Sequence, residues 1–234
     1  MSNLVIPHCW KLSSKPHRFC PGCGYPLLMK ALGANIDEMN IQNQTFLSLD
    51  IGCSLLAWDF FNVDTTQTHH GRTIPLAVGY KMSQPNNIAL AMIGDGGGYA
   101  IGLQHLIHAR LRNDNITVIL VNNANYGMTG GQRAPTSIRG QKTATGVIDS
   151  DWQIDGIKLL TSISPAPVYL ARAAVDNQIQ MKKYLASALQ WQQQKKGFSF
   201  VEILSFCPTN WHTNAGATLA YLKELKIKYP LGEF

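Results

Sequence analysis

Ile88-Ala89-Leu90-Ala91-Met92-Ile93-Gly94-Asp95-Gly96-Gly97-Gly98 joins a short apolar run to a cluster of glycines around one aspartate. An uninterrupted apolar run of this length fits a strand buried on both faces, as strands of parallel sheets are. Two other stretches share its character, Thr45 to Asp50 before it and Ile116 to Asn122 after it, each closing on an aspartate or asparagine. Between the central run and the later one, Tyr99 to Arg112 places Ile101, His105 and His108 at spacings of four and three, with Leu103, Leu106 and Ile107 beside them. That spacing predicts an amphipathic helix whose apolar side carries His105 and His108 as core histidines, and so a βαβ unit. Farther on, Pro167 to Val175 is expected as a strand and Asn177 to Gln194 as a helix containing Ile179, Tyr184, Leu185, Leu189 and Trp191. Phe198 to Leu204 is expected as a further strand. The alternation predicts an α/β fold, a doubly wound and mostly parallel sheet forming one domain over residues 1–234.

Ligands of such sheets sit at the carboxyl ends of the strands. Gly52-Cys53-Ser54, Gly94-Asp95-Gly96, Asn122-Asn123 and Cys207 all follow strand ends and are expected on one rim. Glycines between a strand and a helix let backbone N–H groups approach a diphosphate, and a helix N-terminus favours anions. Gly-Asp-Gly also builds ordinary turns, so the second half matters: Asn123 lies 28 residues after Asp95 at the end of the next strand. Two adjacent turns can then share a cation. Magnesium takes hard oxygen ligands, and the Asp95 carboxylate, Asn123 side-chain oxygen and Asn125 carbonyl can supply the protein's share.

The five cysteines make an odd count in a chain whose start, Met1 to Pro7, has no signal-peptide character, which argues against a disulfide framework. Cys20-Pro21-Gly22-Cys23 sets two thiols close together, and Cys53 and Cys207 can close a four-thiolate site. Spacing alone fits zinc and an iron-sulfur cluster equally.

Gly94-Asp95-Gly96 followed at this interval by Asn122-Asn123 resembles the motif shared by thiamine-diphosphate enzymes. Its continuation, Tyr126-Gly127-Met128-Thr129-Gly130-Gly131-Gln132, resembles the β subunit of 2-oxoacid:ferredoxin oxidoreductases. The likeness runs over nearly the whole chain and includes Cys20 to Gly24, Ile51 to Ser54, His70-Gly71-Arg72 and Phe206-Cys207-Pro208-Thr209-Asn210-Trp211. It implies a thiamine-diphosphate-binding fold in which Asp95, Asn123 and Asn125 hold magnesium. Ser54, His70, Gly71, Gly96, Gly97, Tyr126, Gly127, Met128 and Thr129 then meet the cofactor, with His70 as the catalytic side chain. It further implies that Cys20, Cys23, Cys53 and Cys207 ligate a 4Fe-4S cluster, leaving Cys9 as a structural thiol.

The implied reaction is coenzyme A-dependent oxidative decarboxylation of a 2-oxoacid, with electrons passing through the cluster to ferredoxin. Gly140 to Thr143 and Gly197 to Glu202 look closest to the 2-oxoisovalerate type, and Leu55, Leu56, Ala57 and Trp58 are expected as an apolar wall without a cation. A 2-oxoglutarate or pyruvate enzyme is the alternative, as is a non-oxidative thiamine-diphosphate decarboxylase or synthase. No acidic residue falls in a motif suited to activating the aminopyrimidine. In related enzymes a pyrimidine-binding domain supplies that glutamate, so a partner subunit is implied.

Composition narrows the remaining classes. The formal charge of +6 comes from scattered lysines and arginines rather than a basic stripe, which suits an acidic electron carrier better than nucleic acid. No apolar run reaches membrane-spanning length, and a cytoplasmic protein is expected.

Overall fold

The computed structural model describes residues 6–11, 17–163 and 166–234, so most of the Met1 to Pro7 reading lies outside the described residues. Its first helix, α1 (Tyr25–Glu38), precedes β1 (Thr45–Leu49), β2 (Asp64–Gln67), α2 (Thr73–Ser83) and β3 (Ile88–Gly94). There follow α3 (Leu103–Arg112), β4 (Thr117–Asn122), a small hairpin of β5 (Lys142–Thr143) and β6 (Gly146–Val147), and α4 (Gly156–Ile163). The chain ends with β7 (Tyr169–Ala174), α5 (Gln178–Gln193), β8 (Ser199–Leu204), α6 (Pro208–Trp211), α7 (Ala215–Lys228) and β9 (Gly232–Glu233).

Seven strands form one sheet in the order β2-β1-β3-β4-β8-β7-β9. All its pairings are parallel except β7 with β9. Alternation within each strand sends side chains to two cores. Leu47, Leu90, Met92, Ile119 and Val201 meet α1 and α5, whereas Ala89, Ala91, Ile93, Val118 and Phe200 meet α2, α3 and α4. This is the doubly wound, mostly parallel α/β sheet that the sequence pattern predicts. After β1 the chain moves outward to β2 and then crosses to β3, so the order reverses between β1 and β3. A crevice opens at such a reversal.

The apolar face of α3 is not where the spacing puts it. Gly97–Ile101 winds as a wider π turn before α3 begins, which shifts the helical phase. Leu106, Ala109 and Arg110 are the buried residues, while Ile101 and His108 are exposed and His105 is half-buried beside the Arg72 guanidinium. His105 and His108 are therefore not core histidines. In α5 the buried stripe is Met181, Tyr184, Leu185, Ala188, Leu189 and Gln192, and Ile179 lies in solvent. Among the described residues no helix is long and apolar enough to cross a membrane.

Candidate active site: two turns and four thiols on one rim

A cavity of about 270 Å³ opens at the reversal point, lined by the ends of β1 (Asp50 to Cys53), β3 (Gly94 to Gly97) and β4 (Asn123, and Asn125 to Thr129), with Tyr25, His70 and Ile101. Of the residues expected to meet the cofactor, His70, Gly96, Gly97, Tyr126, Gly127, Met128 and Thr129 share this lining. Ser54 and Gly71 are not brought to it. Ser54 is buried and shares a 3.0 Å hydrogen bond with the Tyr25 hydroxyl, and Gly71 donates its N–H to Asp50. Arg72 turns outward to His105. The expected wall of Leu55 to Trp58 does not line the cavity either: Leu56 and Ala57 pack into the core beneath β1, and the apolar lining is Ile51, Ile101 and Met128.

The glycine turn is held by close approach. A methyl group on Gly96 would run into the Tyr126 ring, and one on Gly97 into the Asp50 carboxylate. Asp95 accepts the Gly96 N–H at 2.9 Å on one oxygen and the Thr136 hydroxyl on the other. Burial pushes the Asp95 carboxyl up to about 7, against the pull of those two donors. A buried carboxylate in this position is served best by a cation, and the two asparagines stand across the same cavity.

The asparagine turn is held differently. Ala124 adopts φ +56, a left-handed conformation that costs a side-chain-bearing residue energy. Its N–H goes to the Asn122 side chain at 3.1 Å, and its carbonyl accepts from Ser137 at 2.6 Å and Gln141 at 2.8 Å. The Trp211 indole donates to the Asn123 carbonyl at 3.0 Å. Asn122 is anchored in turn by Glu202 (2.8 Å), a fully buried carboxylate that also takes the Arg172 Nε at 2.7 Å. Arg172 reaches on to Asp155 at 2.6 Å. The kink at Ala124 lets Asn123 and Asn125 both line the cavity, so a donor set of one carboxylate and neutral oxygens faces room for phosphate. That set fits magnesium with a diphosphate.

Asp50 is the residue that the sequence pattern missed. It is buried, accepts the Gly71 N–H at 2.7 Å and lies 3.4 Å from the Thr73 hydroxyl, while its second oxygen has no partner among the described residues. Burial pushes its carboxyl up to about 6, and the His70 charge opposes that shift. The available signal was an acid closing an apolar strand just ahead of Gly52-Cys53.

The four thiols gather beside the same rim. Burial first, then the charges of neighbouring thiols, push Cys23 and Cys53 up to about 12; Cys53 is influenced by Cys207, Cys23 and Cys20 together. Such a group accepts ionisation only against positive charge, which metal ions bring. Among the described residues no three acidic, cysteine or histidine side chains are grouped closely enough to hold a single metal ion. Cys9 stands apart, fully buried with its thiol 3.5 Å from the Gly33 carbonyl.

Residues 50–203 match the family model described as the C-terminal TPP-binding domain of thiamine pyrophosphate enzymes. A 2-oxoglutarate synthase subunit KorB of Methanocaldococcus jannaschii is 38% identical over 91% of this chain and 79% of its own length. The chain belongs to the 2-oxoacid:ferredoxin oxidoreductase subunits that bind thiamine diphosphate. A ketoisovalerate oxidoreductase subunit VorA of Methanothermobacter marburgensis is 34% identical over 92% of the chain, which spans 47% of that relative's length. Among solved structures, a 2-oxoglutarate:ferredoxin oxidoreductase from Magnetococcus marinus, with 2-oxoglutarate, coenzyme A and succinyl-CoA bound, superposes with a TM-score of 0.81. The two are 26% identical, and the match covers 96% of this chain and 74% of that one. Relatives named for ketoisovalerate and for 2-oxoglutarate stand side by side, so family membership leaves the oxoacid undetermined.

Proposed function

We propose that this chain is the cofactor-bearing part of an enzyme that oxidatively decarboxylates a 2-oxoacid, transfers the acyl group to coenzyme A and passes electrons through a 4Fe-4S cluster to ferredoxin. One observation carries the reading. A methyl group on Gly127 would lie 3.2 Å from the Cys53 sulfur and 3.4 Å from the Asn125 side-chain oxygen, so the loop facing the diphosphate touches the thiol group directly. A cofactor and an electron acceptor held beside the same glycine need no further relay.

The Asp95 carboxylate, Asn123 side chain and Asn125 carbonyl hold magnesium, and the backbone of Gly96, Gly97 and Gly127 to Thr129 borders the diphosphate. His70, at the cavity edge, is placed to donate to phosphate or to a substrate carboxylate. Thiamine diphosphate supplies the carbon nucleophile and the electron sink that decarboxylation needs. Cys20, Cys23, Cys53 and Cys207 bind the cluster, and the influence of Cys207, Cys23 and Cys20 on Cys53 supports placing all four around one centre.

Of the two carboxylates lining the cavity, Asp95 serves the magnesium set and Asp50 is tied through one oxygen to Gly71 and Thr73, which supports a partner subunit as the source of the pyrimidine-binding domain and its activating glutamate. The surplus of positive charge favours an acidic ferredoxin, and the cytoplasm is the fitting compartment. Ile51, Ile101 and Met128 favour 2-oxoisovalerate: among the described residues no lysine or arginine lines the cavity to meet a second carboxylate.

The test is ferredoxin reduction driven by a 2-oxoacid and coenzyme A. The chain alone is expected to be inactive and to become active on adding the pyrimidine-domain subunit, with 2-oxoisovalerate preferred over 2-oxoglutarate and pyruvate. Turnover by the single chain would contradict the divided site; preference for 2-oxoglutarate would contradict the substrate.

A further inference from the structure

The stretch Cys207-Pro208-Thr209-Asn210 closes into the single turn α6, in which the Trp211 N–H returns to the Cys207 carbonyl at 2.9 Å. That turn carries Asn210 back against the cysteine that starts it. The Asn210 side-chain amide has two hydrogens, and both find acceptors: the Gly127 carbonyl at 2.6 Å and the Cys207 sulfur at 3.6 Å. The Asn210 backbone N–H also favours the ionised Cys207 sulfur.

Cys207 as a thiol donates to the Asn125 side-chain oxygen at 3.8 Å. As a metal-bound thiolate it has no proton to give and can only accept, and the Asn210 amide already points a hydrogen at it. Among the described residues no side chain donates to Cys20, Cys23 or Cys53, and Cys23 is eased only by the Tyr25 and Gly24 backbone. The sulfurs are therefore unequal, and the one that receives a side-chain hydrogen bond shares its donor with the loop bordering the diphosphate.

A hydrogen bond to a ligand sulfur stabilises the reduced, more negative form of a cluster and raises its reduction potential. We propose that Asn210 is a positioning residue with two tasks: its amide sets the cluster potential through Cys207 and fixes the Gly127 carbonyl, so that cofactor loop and electron acceptor are held in one register. This rests on the cluster and thiamine-diphosphate reading above. Side-chain size alone does not supply either task, because both use N–H donors.

The experiment is a redox titration of the cluster, followed by electron paramagnetic resonance, in the holoenzyme with its partner subunit prepared without air. Asn210→Ala is expected to shift the midpoint potential to more negative values, and Asn210→Asp, which replaces the donor with a negative charge at equal size, to shift it farther. Thr209→Ala, next to it but exposed, is expected to leave the potential unchanged. Both Asn210 variants should also weaken magnesium-dependent binding of thiamine diphosphate, measured by calorimetry. An iron-replete Asn210→Ala protein at the wild-type potential would overturn the proposal. If the alanine variant loses its iron, Asn210→Asp decides, and a wild-type potential there overturns it equally. Wild-type protein without iron would instead remove the cluster reading, and this inference with it.

Discussion

The two turns that face each other across the diphosphate cavity do similar work by opposite means. Gly94 to Gly98 reaches its shape by omitting side chains, with Tyr126 and Asp50 filling the space that Cβ atoms would take. Asn122 to Asn125 keeps its side chains and tolerates a left-handed Ala124, because Glu202, Ser137, Gln141 and Trp211 fix the backbone from four directions. A turn built from glycine is a local property of the chain. A turn built on a strained alanine is a property of the folded molecule, and it fails when a distant support is removed.

The largest effect should come from the glycine arm's only charge. Asp95→Ala takes away the one carboxylate of the proposed magnesium set, and retention of thiamine diphosphate is expected to be lost, as read by calorimetry with magnesium present. Asn123→Ala should weaken it less. Equal affinity in wild type and Asp95→Ala would mean that the cavity holds its ligand without this acid.

On the asparagine arm the strongest test lies in the core. Glu202→Ala leaves the buried Arg172 with Asp155 as its remaining acidic partner and frees Asn122, at a cost of about 3–5 kcal/mol by analogy with other broken buried pairs. Chemical denaturation should show that loss, and cofactor affinity should fall with it although Glu202 does not line the cavity. Glu202→Gln, which keeps an acceptor for Asn122, should retain more affinity. Unchanged affinity in Glu202→Ala would show that the left-handed turn needs no support from β8.

A milder break is Gly96→Ala, which forces the Tyr126 ring aside and should weaken the cofactor on the order of tenfold, or about 1.4 kcal/mol. An equivalent methyl at Gly130, which has open space but φ +99, should disturb the loop through strain alone and affect binding less.

The smallest effect on cofactor binding is expected from Asp50, which acts instead through the pH dependence of stability between the arms and the His70 loop. Burial raises the Asp50 carboxyl from 3.8 to about 6, so the folded protein binds the proton more tightly than the unfolded chain. Stability from this group is therefore complete below about pH 4 and is lost as the pH rises through about 6, on the order of 3 kcal/mol in all. Asp50→Asn removes the titration while keeping an acceptor for the Gly71 N–H. Relative to wild type it should gain stability at about pH 7.5 and not at about pH 4. A gain of the same size at both would assign the effect to packing.

Legibility in the sequence follows the same division. The three central strands and the glycine turn could be read because uninterrupted apolar runs and a Gly-Asp-Gly step are local signals. Asn123 and Asn125 were found through their interval from Asp95 and through family resemblance, but nothing local marks Glu202, Thr136 or Gln141 as supports, since their partners lie far away in the chain. The helical face of α3 was misplaced because periodicity assumes an α-helix, and the segment leading into α3 is a π turn. His70 could be placed at the cavity edge, whereas the buried Ser54 and outward Arg72 could not, because motif membership does not say which way a side chain turns. The edge strands β2 and β9 are short and polar, and their assignment comes from pairing rather than composition.

The most direct measurement is an absorption spectrum of the protein purified without air, with iron, zinc and bound thiamine diphosphate determined on the same sample. Iron and sulfide in the proportions of one 4Fe-4S cube, broad absorption at about 400 nm and magnesium-dependent thiamine diphosphate are expected. That absorption should be lost in Cys207→Ala and kept in Cys9→Ala. Colourless protein containing zinc in place of iron, or a Cys207→Ala variant with unchanged iron and spectrum, would contradict the cluster at the heart of this site.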